Sequence, residues 1–131
     1  MESTTTRKKM NESIPFHITD WSQIDATEHE GVAGKALWKT ILFGNLRVRV
    51  VEYSPNYVAD HWCAKGHIIY CIEGEMTTEL NTGEQFILKQ GMSYQVSDEM
   101  SLHRTSTLVG AKLFIVDGSF LSSKSNKINE Y

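Results

Sequence analysis

The chain is short of several things. It has two cysteines in 131 residues, too few for a secreted scaffold stapled by disulfides. It has no run of 18 apolar residues, which excludes a helical membrane span. It has no basic excess: 13 Lys and Arg stand against 16 Asp and Glu, a net charge of −3. That balance argues against a protein held on nucleic acid by phosphate contacts. The opening MESTTTRKKMNES has no apolar stretch behind its positive charges, so no signal peptide is expected. A soluble, reducing, cytoplasmic setting is the default expectation. Long helices are missing too, since no ten-residue segment carries apolar residues at i, i+3, i+4 and i+7.

The two ends are poor in apolar residues. Residues 1–13 and 122–131 are expected to be disordered tails, with Met10 an alternative start to Met1. Between them, residues 14–121 form one domain. That body holds eight bases against thirteen acids, a net of −5.

What is present reads as strands. Runs rich in Val, Ile, Phe, Tyr and Thr predict strands at Ile14–Thr19, Lys35–Phe43, Leu46–Tyr53, His67–Glu73, Met76–Leu80, Gln85–Lys89, Ser93–Val96, Leu102–Thr107 and Ala111–Asp117. Turn signals separate them: Phe43-Gly44-Asn45, Glu73-Gly74-Glu75, Asn81-Thr82-Gly83, Lys89-Gln90-Gly91 and Val109-Gly110. One helical turn is expected after Asp20. Short strands at this spacing predict an all-β fold, a single small antiparallel barrel or sandwich.

Chemistry concentrates in Asp60-His61-Trp62-Cys63-Ala64-Lys65-Gly66-His67. On an extended strand His61 and Cys63 share a face. Lys65-Gly66 permits a bend that returns His67 to the same side, and His103 opens a later strand. Four such nitrogen and sulfur groups suit one divalent transition metal: zinc, iron or nickel, with copper also compatible. Cys63 either ligates as a thiolate or turns away, leaving three histidines.

The run His61-x-Cys63-x3-His67-x6-Gly74 resembles the first motif of the cupin superfamily, with Cys63 in place of its second His and His67 in place of its Glu. A worn second motif runs from Gly91 to Thr107, with Ser97, Glu99 and His103 near its usual landmarks. The Asp60-His61-Trp62-Cys63 run is similar to small bacterial cupins known for a DHCW motif. The resemblance implies a cupin-type jelly roll with a metal at its centre, and homodimers, since cupins often pair.

Other residues have plainer expectations. Cys71 shares parity with His67 and is expected to pack in the core rather than to form a disulfide. Asp60 is expected to be a solvated surface carboxylate. Trp62 points away from the ligands, and His29 sits in a surface loop. Arg47 and Arg49 alternate with Val48 and Val50; the valines are expected inward and the arginines outward, paired with Glu, whereas arginines facing the cavity would suggest an anionic substrate bound in bidentate fashion. Glu52 and Tyr94 are loose candidates for acid–base work. The leading functional expectation is a metal-dependent enzyme acting on a small organic molecule, dioxygenase-like first and isomerase or lyase next. A metal- or small-molecule-binding sensor or storage barrel is the alternative, and a thiol redox sensor using Cys63 is a third.

Overall fold

A computed structural model describes residues 13–122. Apart from Ser13 and Ser122, the two expected tails lie outside the described residues. Nine strands form a curled antiparallel jelly roll: β1 (Thr27–Glu30), β2 (Lys35–Phe43), β3 (Leu46–Tyr53), β4 (Tyr57–Val58), β5 (His67–Leu80), β6 (Gln85–Lys89), β7 (Ser93–Val96), β8 (His103–Thr107) and β9 (Ala111–Asp117). Neighbours run in the order β1-β2-β3-β9-β5-β8-β4, and β6 and β7 also pair with β5. The last strand is thus inserted between β3 and β5.

Strand β5 is the spine. Its first half pairs with β9 and β7, and its second half with β8 and β6. The two stretches read as separate strands, with a hairpin turn at Glu73-Gly74-Glu75, are therefore one strand with a bulge. Register with β9 shifts between Cys71 and Glu73. The extra residue flips side-chain parity, so His67, Ile69 and Cys71 are buried before it and Met76 and Thr78 after it. Gly74 makes this possible. Its φ is +78°, and a Cβ there would collide with the Gly110 carbonyl oxygen.

The core is built from Ala36, Val51, Tyr57, Ile69, Cys71, Met76, Leu88, Ala111, Leu113 and Ile115. Cys71 is fully buried and unbridged, as its parity predicts. The single turn Trp21–Gln23 forms where expected, capped by the Asp20 carboxylate accepting from the Ser22 amide at 3.0 Å.

The N-terminal stretch differs from expectation. Residues 14–19 make no strand; Phe16 and Ile18 are largely exposed, because the free edge of β2 is taken by β1 instead. That edge strand, Thr27-Glu28-His29-Glu30, is almost wholly polar, as edges often are, and so carries no apolar alternation to reveal it. Lys35 pairs with Glu28 at 2.6 Å, and His29 stacks on Trp38 with centroids 3.9 Å apart. His29 is therefore a strand residue rather than a loop one.

Gly74→Ala is expected to destabilise the fold by at least about 2 kcal/mol, combining a strained backbone with a blocked approach to Gly110. Urea unfolding followed by circular dichroism measures it. An unchanged midpoint would show that the bulge can re-form without glycine.

Candidate metal centre

The site begins with a charge at the end of the central strand. On β9, Ala111, Leu113, Ile115 and Asp117 share the buried face. Asp117 pairs in register with Arg47 of β3, and the neighbouring Val116 pairs with Ile68 of β5. The carboxylate therefore stands between Arg47 on one side and His67 on the other. Arg47 donates from Nε at 3.0 Å and from Nη2 at 3.2 Å. Arg49 donates from Nη2 at 3.0 Å, and the His67 Nδ1 lies at 3.1 Å. Asp117 is 1% exposed. Burial acts to raise its pKa, but hydrogen bonds from His67 and Arg47 and the charges of both arginines outweigh this and hold it well below the usual carboxylate range.

This overturns the expected orientation of β3. Arg47 and Arg49 face inward with Val51 and Tyr53, and Arg49 is 4% exposed. The outer-facing valines are half-covered instead. Trp21 packs edge-on against Phe114 at 6.2 Å and accepts from Lys39 Nζ through its carbonyl at 2.9 Å. The N-terminal segment thereby supplies the outer cover that allows apolar residues on that side.

An ionised carboxylate accepts hydrogen bonds and donates none, so the proton of that contact sits on His67 Nδ1. His67 Nε2 then faces the Cys63 sulfur at 3.7 Å. His103 is arranged in the same way. Its Nδ1 donates to the Ser101 carbonyl at 2.9 Å, and its Nε2 is buried without a hydrogen-bond partner among the described residues. Cys63 joins them through the backbone: its amide donates to the His103 carbonyl at 2.8 Å and the reverse bond is 3.0 Å. Gly66 sets the approach of His67. A Cβ there would sit 2.5 Å from the Val96 oxygen, and its amide donates to the Asp98 carboxylate at 2.7 Å.

The ligand atoms of Cys63, His67 and His103 all lie within 4.8 Å of one another. Both histidines are buried and Cys63 is half-buried. Burial pushes the Cys63 thiol up, but the adjacent His103 and His67 imidazoles and the Lys65 backbone bring it down to about 5. Burial pushes His67 down, and Asp117 and Cys63 more than reverse that. The donor set fits a transition metal: two imidazoles anchored at Nδ1 with Nε2 free, and one acidic thiol.

His61 stands apart from this group. The chain bends at Asp60-His61 instead of running extended, and His61 lines the same cavity as Cys63 without joining the cluster. The His61 side chain is 73% exposed and its Nδ1 lies 2.6 Å from the Asp60 carboxylate. Trp62 is turned outward under Arg104, whose guanidinium carbon lies 4.7 Å from the ring centroid.

Above the cluster lies a cavity of about 220 Å³, which also takes in Tyr53, Tyr94, Arg47 and Arg49. Burial raises the Tyr94 hydroxyl well above its ordinary value, so it remains protonated. Glu52 is exposed on the outer face of β3, away from this cavity. Asp117 was missed as a site residue. The signal was a carboxylate in phase with Ala111, Leu113 and Ile115, a charge placed where only a partnered one is tolerated.

No family model matches the sequence, and no curated protein matches it. Solved structures do. Ectoine synthase from P. lautus superposes with a TM-score of 0.67 at 17% identity, covering 88% of this chain and 86% of that one. A predicted oxalate decarboxylase from Thermotoga maritima gives 0.65 at 15%, covering 78% and 98%. An RmlC-like cupin from Shewanella frigidimarina gives 0.62 at 17%, covering 86% and 96%. The fold is a cupin fold, and at these identities the likeness extends to the fold alone.

Two outcomes follow for the metal-free protein. Asp117→Asn is expected to lose about 3 kcal/mol at neutral pH, since two arginines lose a buried counter-charge. The folded pKa of Asp117 lies below its ordinary 3.8, so its contribution is complete above that value and is lost as pH falls toward the folded one. The gap between wild type and variant should narrow below about pH 4, read from urea midpoints; a constant gap down to pH 3 would rule out the charge as its source. Separately, iodoacetamide at neutral pH should modify Cys63 and spare Cys71, mapped by peptide mass spectrometry. Equal labelling of the two would contradict the burial described.

Proposed function

We propose that the chain is a metal-dependent cupin enzyme. It holds one divalent transition metal on Cys63 Sγ, His67 Nε2 and His103 Nε2, and acts on a small organic molecule in the adjoining cavity. One observation carries this reading. Two imidazoles have their Nδ1 protons committed to Asp117 and Ser101, and both remaining nitrogens face one acidic thiol within 4.8 Å. A bound zinc, iron or nickel supplies Lewis acidity toward a substrate oxygen or a place for O₂ or water to bind.

The chain's own residues define the rest. Three protein groups do not fill a four- or six-coordinate shell, which favours catalysis over storage by four protein ligands. Ile69 and Ile115 line the cavity with apolar surface that excludes water. The Tyr94 ring forms wall beside His103, with ring centroids 6.2 Å apart, and its protonated hydroxyl is buried next to Thr78. Dioxygenase-like oxidation is the first choice of reaction, followed by isomerisation or lyase chemistry.

Elemental analysis of purified protein, dialysed against zinc, iron or nickel in turn, is expected to find about one equivalent per chain. Cys63→Ser, His67→Ala and His103→Ala should each weaken binding by more than the roughly 10–100-fold typical of losing an outer partner of a ligand. His61→Ala should change it by less than about tenfold. Azide should perturb the spectrum of cobalt- or iron-loaded protein. A wild type that takes up none of these metals overturns the metal site, and a spectrum indifferent to azide overturns the open position.

A further inference from the structure

The cavity wall carries charge that the metal site does not use. Arg47, Arg49, Lys65 and Arg104 all line it, and among the described residues no aspartate or glutamate does. Composition does not explain this, since the body of the chain carries five more acids than bases. Asp117 answers part of the charge from behind the wall, and Glu79 pairs with Arg104 at 3.2 Å. The remaining excess is positive.

Arg49 shows a specific deficit. A guanidinium has five N–H donors. Its Nη2 is satisfied by Asp117, yet its Nε is buried and has no hydrogen-bond partner among the described residues. The side chain is only 5% exposed. An unpaired donor on a buried cation is unfavourable until an acceptor reaches it. Trp38 holds the arginines in place, its ring centroid 4.4 Å from the Arg49 guanidinium carbon and 5.7 Å from that of Arg47. Farther along the same inward face of β3, Tyr53 stacks on Tyr57 with centroids 4.4 Å apart, and both rings line the cavity.

We propose that this wall binds the carboxylate of a small, planar organic acid, its charged edge on Arg49, Arg47 and Lys65 and its apolar body against the stacked tyrosines. The substrate class of the proposed enzyme is then an organic anion, an assignment that rests on that reading. A guanidinium fork matches the edge of a carboxylate in plane and spacing. An inorganic phosphate would leave the aromatic half of the wall unused.

Calorimetric titration of benzoate into chelator-treated, metal-free protein tests this. Wild type is expected to bind benzoate saturably, with benzamide, of the same shape without the charge, at least tenfold weaker. Arg49→Lys keeps a cation beside Asp117 but loses the fork, and should weaken benzoate at least fivefold. Lys65→Met lies at the exposed mouth and should do likewise with an unchanged circular dichroism melt, so the test survives if the Arg49 variant does not fold. Benzamide binding as tightly as benzoate, wild-type benzoate affinity in every variant that folds, or tighter binding of inorganic phosphate would each overturn the proposal. Metal uptake measured on the same preparations separates the two readings. Benzoate binding without metal uptake defeats only the metal enzyme, and metal uptake without benzoate discrimination defeats only the carboxylate wall.

Discussion

A single buried carboxylate sets the terms for everything around it. Asp117 is almost completely withdrawn from water and accepts from two arginines and a histidine. A charge in that position is tolerated only when it is fully paired, so the placement of each partner is tied to that of the carboxylate. The pairing dictates which nitrogen of His67 carries a proton. It also dictates that β3 turns its arginines inward, which gives the cavity its sign. The ligand cluster and the cationic wall are thus two faces of one ionic arrangement.

That shared origin explains why the interior is electropositive in an acidic chain. The acids lie mainly on outward faces, where hydration is cheap: Glu28, Glu30, Glu73, Glu75 and Glu84 are all exposed. Among the described residues one acid is buried, Asp117, and three cations or potential cations converge on it. Soft sulfur is the other source of negative charge near the cluster. A thiol brought to about 5 by its imidazole neighbours supplies what a ligating carboxylate supplies in other metal sites.

Much of the fold was legible because it followed period-two patterning. Strands β2, β3, β6, β7 and β9 fall where the Val, Ile, Phe and Tyr runs place them. The elements that escaped had no such pattern. β1 is polar because it is an edge, and β4 has only two residues. Residues 14–19 alternate properly, yet find no sheet edge to join. In the site, Cys63, His67 and His103 were visible as residue types at suggestive spacing, and the structure brings them together. The position of His61 depends on a bend that spacing cannot reveal. The arginines were misread because strand alternation has two phases, and the deciding fact, an apolar cover from Trp21 on the outside, is not local to β3.

The insertion of β9 between β3 and β5 also orders events in time. Arg47, Arg49 and His67 are synthesised 50 to 70 residues before the carboxylate that fixes them. Until residues 111–117 leave the ribosome, β3 and β5 have no common partner, and the cluster lacks the acceptor that sets its proton on Nδ1. Closing loops of that length is slow relative to forming local hairpins. The metal-binding geometry is therefore among the last features to mature, and its completion reports that nearly the whole barrel has been made.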